Sequence, residues 1–196
     1  MSSLTIHDAE AKFTLGYSED YAGISAVDVA FMQHVWRLRP QLQSVLELGT
    51  SWGVTALLLG VLARIRGGQC VSVDRQDIRP EGVRRAWLDN MTFLYGDLLA
   101  PGAPMLPPLA ALLGNADAGP WLLICDGGDK LEELRRYAPL VAPGGVVMVH
   151  DFLPIDEPHT VCEANVAPIM DGGVWRRLEW DTALEWRSYF RAWERG

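Results

Sequence analysis

Glu47, Asp74, Asp97, Asp126 and the pair His150–Asp151 close, or just follow, five short apolar runs: SVLEL, QCVSVD, MTFLY, WLLICD and GGVVMVHD. Runs of this length and composition read as buried strands. Acids at five successive strand ends are hard to explain as folding devices. In open α/β sheets, however, ligands lie beyond the carboxyl ends of the strands. Asp126 and Asp151 would leave neighbouring parallel strands side by side. Two close carboxylates are costly unless a cation neutralises them. Hard oxygen donors suit Mg²⁺ or Mn²⁺, and an imidazole ligand would favour Mn²⁺ or another transition metal. The expected metal set is therefore Asp126, His150 and Asp151. His150 is at once a candidate third ligand and the first candidate general base, because its pKa lies nearest neutrality. Asp129 and Lys130 are the other candidate bases. Their bland reading is an acid at a helix N-terminus and a solvated lysine.

The segment Glu47-Leu48-Gly49-Thr50-Ser51-Trp52-Gly53-Val54-Thr55 joins the first strand to a helix. Its glycines allow a tight turn and a close approach of a ligand to the backbone. The dinucleotide fingerprint G-x-G-x-x-G is not met, because Ser51 stands at its second glycine. Glu47 just before the turn suits a cationic amino-acid group better than a diphosphate. Asp74, at the end of the second strand, can accept two hydrogen bonds from ribose hydroxyls. Its alternative role is a strand-end cap.

The elements that must position these residues alternate. Ile24, Val27, Phe31, Val35 and Leu38 recur at helical intervals up to Pro40, and Val54 to Ile65 form a second helical face closed by Gly67-Gly68. A short helix is expected over 80–89, another near 105–114, and a third over Leu131 to Val141 with Glu132, Glu133, Arg135 and Arg136 outside. A last helix near 159–170 and two tryptophan-rich strands complete the chain. Strands alternating with helices imply a mostly parallel sheet covered on both faces. One domain over 1–196 is expected, with 1–40 as a helical arm or lid. Phe13, Tyr17 and Tyr21 of that lid, and the loop LPIDEPHT, are the candidate walls for an acceptor.

Composition narrows the partners. The chain has 196 residues and a formal net charge of −8. An acidic domain offers little phosphate neutralisation, which disfavours a nucleic-acid partner. No apolar run reaches the ~18 residues of a membrane span, and no signal peptide is visible. Three cysteines without metal spacing point to a reducing, cytoplasmic setting. Trp175, Trp180, Trp186 and Trp193 raise the expectation of a homodimer, with core packing as the bland alternative.

Taken in order, ELGTSWGVT, VSVD and FLYGD resemble the motifs of class I S-adenosylmethionine (SAM)-dependent methyltransferases, and the DGG…HDF pattern resembles their sugar-methyltransferase branch. The glycine spacing is similar to that of the metal-dependent small-molecule O-methyltransferases, including the rhamnosyl, macrolide and cephalosporin hydroxylase-like branch. The likeness runs from about residue 44 to 152. It implies a Rossmann-like α/β fold with a seven-stranded, mostly parallel sheet and helices on both faces. It also implies Glu47, Gly49 and Gly53 at the methionine part of SAM, Asp74 at the ribose and Asp97 at the adenine. Thr50, Ser51, Thr55, Arg75, Gly96 and Asp126 complete the implied cofactor set. In the sugar-methyltransferase branch the acids matching Asp126 and Asp151 bind a metal, and the position of His150 is often acidic. The implied activity is O-methylation of a hydroxylated small molecule. The alternatives are a metal-independent N- or O-methyltransferase and a SAM-binding protein without catalysis.

Overall fold

A computed structural model describes residues 24–100, 120–153, 160–180 and 188–196. The segments expected as lid aromatics (Phe13, Tyr17, Tyr21), as a helix near 105–114 and as the LPIDEPHT wall fall wholly or mostly outside the described residues.

Helix α1 (Ala26–Leu38) starts at Ser25, whose hydroxyl accepts the Asp28 N–H while the Asp28 carboxylate accepts the Ser25 N–H. Such a reciprocal box satisfies two backbone donors that a helix start leaves open. Then follow β1 (Ser44–Leu48), α2 (Val54–Ile65), β2 (Cys70–Asp74), α3 (Glu81–Arg85), β3 (Met91–Tyr95), β4 (Trp121–Cys125), α4 (Lys130–Tyr137), β5 (Val146–Val149), α5 (Glu163–Met170), β6 (Trp175–Leu178) and β7 (Arg191–Arg195). The seven strands form one sheet in the order β3-β2-β1-β4-β5-β7-β6. Strands β1 to β5 are parallel, and β7 runs antiparallel to both β5 and β6.

Period-two alternation divides the strand side chains between two cores. Val45, Cys70, Ile124 and Met148 face α1 and α2, with Phe31, Met32, Leu58, Leu59 and Leu62. Leu46, Leu48, Val71, Val73, Leu123, Cys125, Val147 and Val149 face α4 and α5, with Leu134, Tyr137, Val166 and Met170. Both faces being covered explains the nearly continuous apolar strands. Each buried Val, Leu or Ile contributes about 1.5–3 kcal/mol of transfer free energy.

The helix expected over 80–89 is shorter, Glu81–Arg85. Its flanks serve another purpose. The Arg79 guanidinium lies between the rings of Trp87 and Phe93, at 4.3 and 3.9 Å from their centroids. Asp77 takes its Nε at 2.8 Å and Nη2 at 2.9 Å. These bonds hold the Asp77 carboxyl down to about 2. Glu133, expected on the outer face of its helix, is buried, whereas Glu132, Arg135 and Arg136 are exposed. Of the four C-terminal tryptophans, Trp193 and Trp175 pack on the second core, Trp180 packs on the first, and Trp186 lies outside the described residues. Among the described residues no helix is long and apolar enough to cross a membrane.

Candidate functional site

The register sets the strand ends level. Leu48 of β1 lies opposite Val73 of β2 and Cys125 of β4, and Cys125 lies opposite Val149 of β5. The residues that follow therefore emerge along one rim. There the Asp126 N–H donates to the Leu48 carbonyl at 2.8 Å and the His150 N–H to the Cys125 carbonyl at 3.1 Å.

The turn after β1 is built on left-handed backbone. Gly49 has φ +92°, Ser51 φ +48° and Gly53 φ +79°. A Cβ on Gly49 would lie 2.3 Å from the Asp126 carbonyl oxygen. Its glycine is thus required by the junction of β1 and β4. The Ser51 N–H donates to Asp74 Oδ2 at 2.8 Å and the Gln76 N–H to Oδ1 at 3.2 Å. Asp74 therefore caps its own loop and draws the turn toward β2, while each oxygen keeps lone pairs for a ligand. Beneath the turn, Thr50 Oγ1 and Ser72 Oγ are 2.6 Å apart, and the Ser72 hydroxyl is hydrogen-bonded to Glu47 Oε2.

A cavity of about 640 Å³ opens between the turn and the strand ends. Its walls come from Leu48, Gly49 and Ser51, from residues 73–75 and 96–100, and from residues 126–129 with Glu133. Of the expected cofactor positions it gathers Gly49, Ser51, Asp74, Arg75, Gly96, Asp97 and Asp126. Arg75 reaches Asp97 at 4.0 Å. Glu47, Thr50, Gly53 and Thr55 are buried and are not among the lining residues. Gly53 instead gives room to Arg79, whose Cγ and Cδ would be 3.1 Å from a Cβ there.

The far wall is set by α4. Asp129 is its N-cap and accepts the Glu132 N–H at 3.0 Å. Lys130 is not a solvated lysine: it is only 6% exposed, and its Nζ donates to the Gly127 carbonyl at 2.8 Å and to Asp151 Oδ2 at 2.9 Å. Glu133 accepts the Gly127 N–H at 3.2 Å. One turn of helix thus holds both polar atoms of the Gly127 peptide. Burial raises the Glu133 carboxyl to about 7, against the pull of the Gly127 N–H and Lys130. Sequence reasoning missed Glu133, because nothing in KLEELRRY separates it from its solvent-facing neighbours.

Asp126, His150 and Asp151 converge at the edge of this cavity, with ligating atoms all within 4.8 Å of one another. His150 Nδ1 is 2.9 Å from Asp126 Oδ1 and 3.3 Å from Asp151 Oδ1. Asp151 achieves this with φ +53°, a strained value for a non-glycine residue. Phe190 lies against the His150 ring at 4.4 Å between centroids, with Tyr189 at 6.2 Å. Buried Asp28 of α1 accepts the Ser188 hydroxyl at 2.9 Å and the Tyr189 N–H at 2.8 Å, so α1 fixes that aromatic wall. Burial opposes charge on His150. The Asp126 hydrogen bond and the carboxylates of Asp126, Asp151 and Asp28 outweigh it and hold the imidazole pKa above its ordinary value.

No family model matches the sequence, and no curated protein matches it. Solved structures do. The chain is similar to cofactor-bound Rv0187 from MTB (19% identity, 96% of this chain and 87% of that one, TM-score 0.61). It is also similar to the O-methyltransferase TomG from Streptomyces achromogenes, involved in tomaymycin synthesis and solved with SAM (18%, 97% and 87%, TM-score 0.59). A SAM-dependent methyltransferase from Aquifex aeolicus aligns over 98% of both chains at 12% identity, with TM-score 0.56. The fold is that of the class I SAM-dependent methyltransferases, with the seven-stranded, mostly parallel sheet expected from the sequence.

Both expected small molecules can be tested against the residues present. The cavity volume lies within the range of about 300–1,000 Å³ usual for ligand pockets, and the Asp74 carboxylate on its wall has free lone pairs, so a nucleoside fits. For a divalent ion the donors are two carboxylates and one imidazole. Ligands about 2.1 Å from an octahedral ion sit about 3 Å apart, close to the 2.9 and 3.3 Å separations about His150 Nδ1. The donor set fits, with Lys130 on Asp151 Oδ2 and His150 beside Oδ1.

Proposed function

We propose that this chain is a SAM-dependent O-methyltransferase acting on a hydroxyl of a small molecule, a sugar or secondary metabolite, with a divalent cation at Asp126, His150 and Asp151. One observation carries the reading: Asp126 belongs both to the wall of the cavity and to the three-donor cluster. A site for a nucleoside and a site for a cation therefore share a residue.

SAM, when bound, supplies an electrophilic methyl group to an acceptor held in line with it. Asp74 would hold the ribose hydroxyls, and Asp97 with Arg75 would border the base. Asp126 and Asp151 would hold Mg²⁺ or Mn²⁺, which lowers the pKa of a bound hydroxyl. Lys130 holds Asp151 in place, and Phe190 keeps water from one face of His150. With Nδ1 on the cation, His150 is a ligand; only without a cation would Nδ1 stay on Asp126 and the imidazole serve as a base fixed by a carboxylate.

A second reading is metal-independent transfer, and the ion pairs favour it. Lys130 and His150 already neutralise the two carboxylates, so the repulsion that calls for an ion is partly relieved from within. Chelation followed by add-back of Mg²⁺ or Mn²⁺, in a SAM-consumption assay over a panel of hydroxylated acceptors, separates the two. Loss and recovery of turnover are expected. Full turnover in chelator would establish the second reading, with His150 as base. Asp126→Asn and Asp151→Asn are each expected to lower metal affinity and turnover at least ten-fold, leaving SAM binding largely in place. A wild type that does not bind SAM in calorimetry would overturn both readings.

A further inference from the structure

Of the strand-end acids, Glu47 and Asp151 do not line the cavity, and Asp151 instead pairs with Lys130 and His150. Glu47 is fully buried, in the middle of a sheet. Strand alternation gives the reason. Leu48 and Val73, which line the cavity, project to the α4–α5 face. Glu47 is one residue off that phase and lies opposite Ser72 in the register, so both project to the α1–α2 face. Ser72 is fully buried too, and Thr50 is 3% exposed.

We propose that Glu47 is an uncharged positioning residue: its carboxylic acid ends a buried chain, Thr50–Ser72–Glu47, that fixes the turn under the cofactor, and it forms no ion pair with the cofactor's amino group. The proposal rests on the cofactor reading above for its binding arm. Three observations support it. Glu47 Oε2 contacts Ser72, and its buried Oε1 has no partner among the described residues. An ionised carboxylate in that state would lack most of its hydrogen bonds and keep its full desolvation penalty. A carboxylic acid with its proton on Oε2 donates to Ser72, leaving only a neutral carbonyl oxygen unpaired, which costs far less. Secondly, the charges that act on Glu47 are acidic. Burial drives its carboxyl well above the usual range, Asp126 and Asp74 add to this, and the Ser72 bond opposes it. Thirdly, the chain ends on Thr50, between Gly49 and Ser51, both of which line the cavity. Glu47 thus reaches the site through the backbone of the turn.

The test compares wild type, Glu47→Gln and Glu47→Ala by calorimetry with SAM and with S-adenosylhomocysteine, and by infrared difference spectroscopy of the whole protein at neutral pH. Glutamine has the shape of the neutral acid and can donate to Ser72. It is expected to keep both affinities within about two-fold, whereas alanine breaks the chain and is expected to lose ten-fold or more. The wild-type-minus-Gln spectrum should contain the carbonyl stretch of a protonated carboxyl. A ten-fold loss of SAM affinity in Glu47→Gln, with unchanged melting, would show an anion on the ammonium and overturn the proposal. Unchanged affinity in Glu47→Ala would overturn the positioning role, and absence of the protonated-carboxyl band would overturn the charge state. Should wild type bind neither nucleoside, the cofactor reading fails while the infrared band still decides the state of Glu47. Should Glu47→Ala not fold, Glu47→Gln and the spectrum decide.

Discussion

At the scale of single residues, the site works by holding backbone. Asp74 receives two N–H groups from its own loop and faces the cavity. Asp74→Ala removes both the loop's acceptor and any bond to a ribose, and is expected to cost about 1.5–3 kcal/mol of SAM affinity, read by calorimetry. Gly49→Val should do harm of another kind. A side chain there meets the Asp126 carbonyl at 2.3 Å and a φ of +92°, so loss of stability by about 3 kcal/mol or more is expected in urea unfolding, with or without ligand. The sequence pattern marks Gly49 as a place for ligand approach, and only the register of β1 against β4 reveals the nearer constraint. Glu133 gives a pH signature. Its folded carboxyl, raised to about 7, binds a proton that the unfolded chain gives up near its ordinary value. Its contribution is thus full at low pH and falls as pH rises between roughly 4.5 and 7. Glu133→Gln keeps the acceptor for Gly127 without the charge. The stability of wild type relative to this variant is expected to fall by on the order of 2–3 kcal/mol between pH 4 and 8, measured by denaturant unfolding at both.

Elements were legible where periodicity alone decides them. The strand over 44–48, the strand over 91–95 and the helix begun at Val54 lie where hydrophobic spacing puts them, because a five-residue apolar run bounded by turns has few other uses. The helix after Pro80 is shorter than its apolar spacing suggests, since Trp87 and Leu88 serve the core and the Arg79 sandwich from irregular backbone. The inward turn of Lys130 and Glu133 was not legible at all: charge normally marks a solvent face, and only the packing of α4 beside Gly127 overrides that. Between elements, Asp28 is the tie to test. It joins the start of α1 to the lead into β7 through Ser188 and Tyr189. Asp28→Ala strands these donors and is expected to cost about 3 kcal/mol or more, with loosened packing of Phe190 on His150 visible as a shifted imidazole resonance.

For the whole molecule, the acid-rich rim and the net charge of −8 set what approaches it. Indifference to duplex DNA or RNA at physiological salt is expected, and a tight, salt-sensitive gel shift would contradict it. The described tryptophans of the C-terminal region pack on the two cores, Trp175 and Trp180 only partly buried; a homodimer remains an expectation for light scattering to test. Strand β7 sits between β5 and β6 in the sheet though it comes last in sequence. This order has a consequence in time. Five parallel strands and their helices can assemble before β7 exists, yet the wall on His150 comes from Phe190, and the bond from Ser188 to Asp28 spans 160 residues of chain. Contacts of such long sequence separation slow folding, because loop-closure entropy is lost before they form, and they are expected to form late. In refolding, recovery of ligand binding at the site should therefore appear with the slowest phase of the protein's tryptophan fluorescence, and never ahead of it.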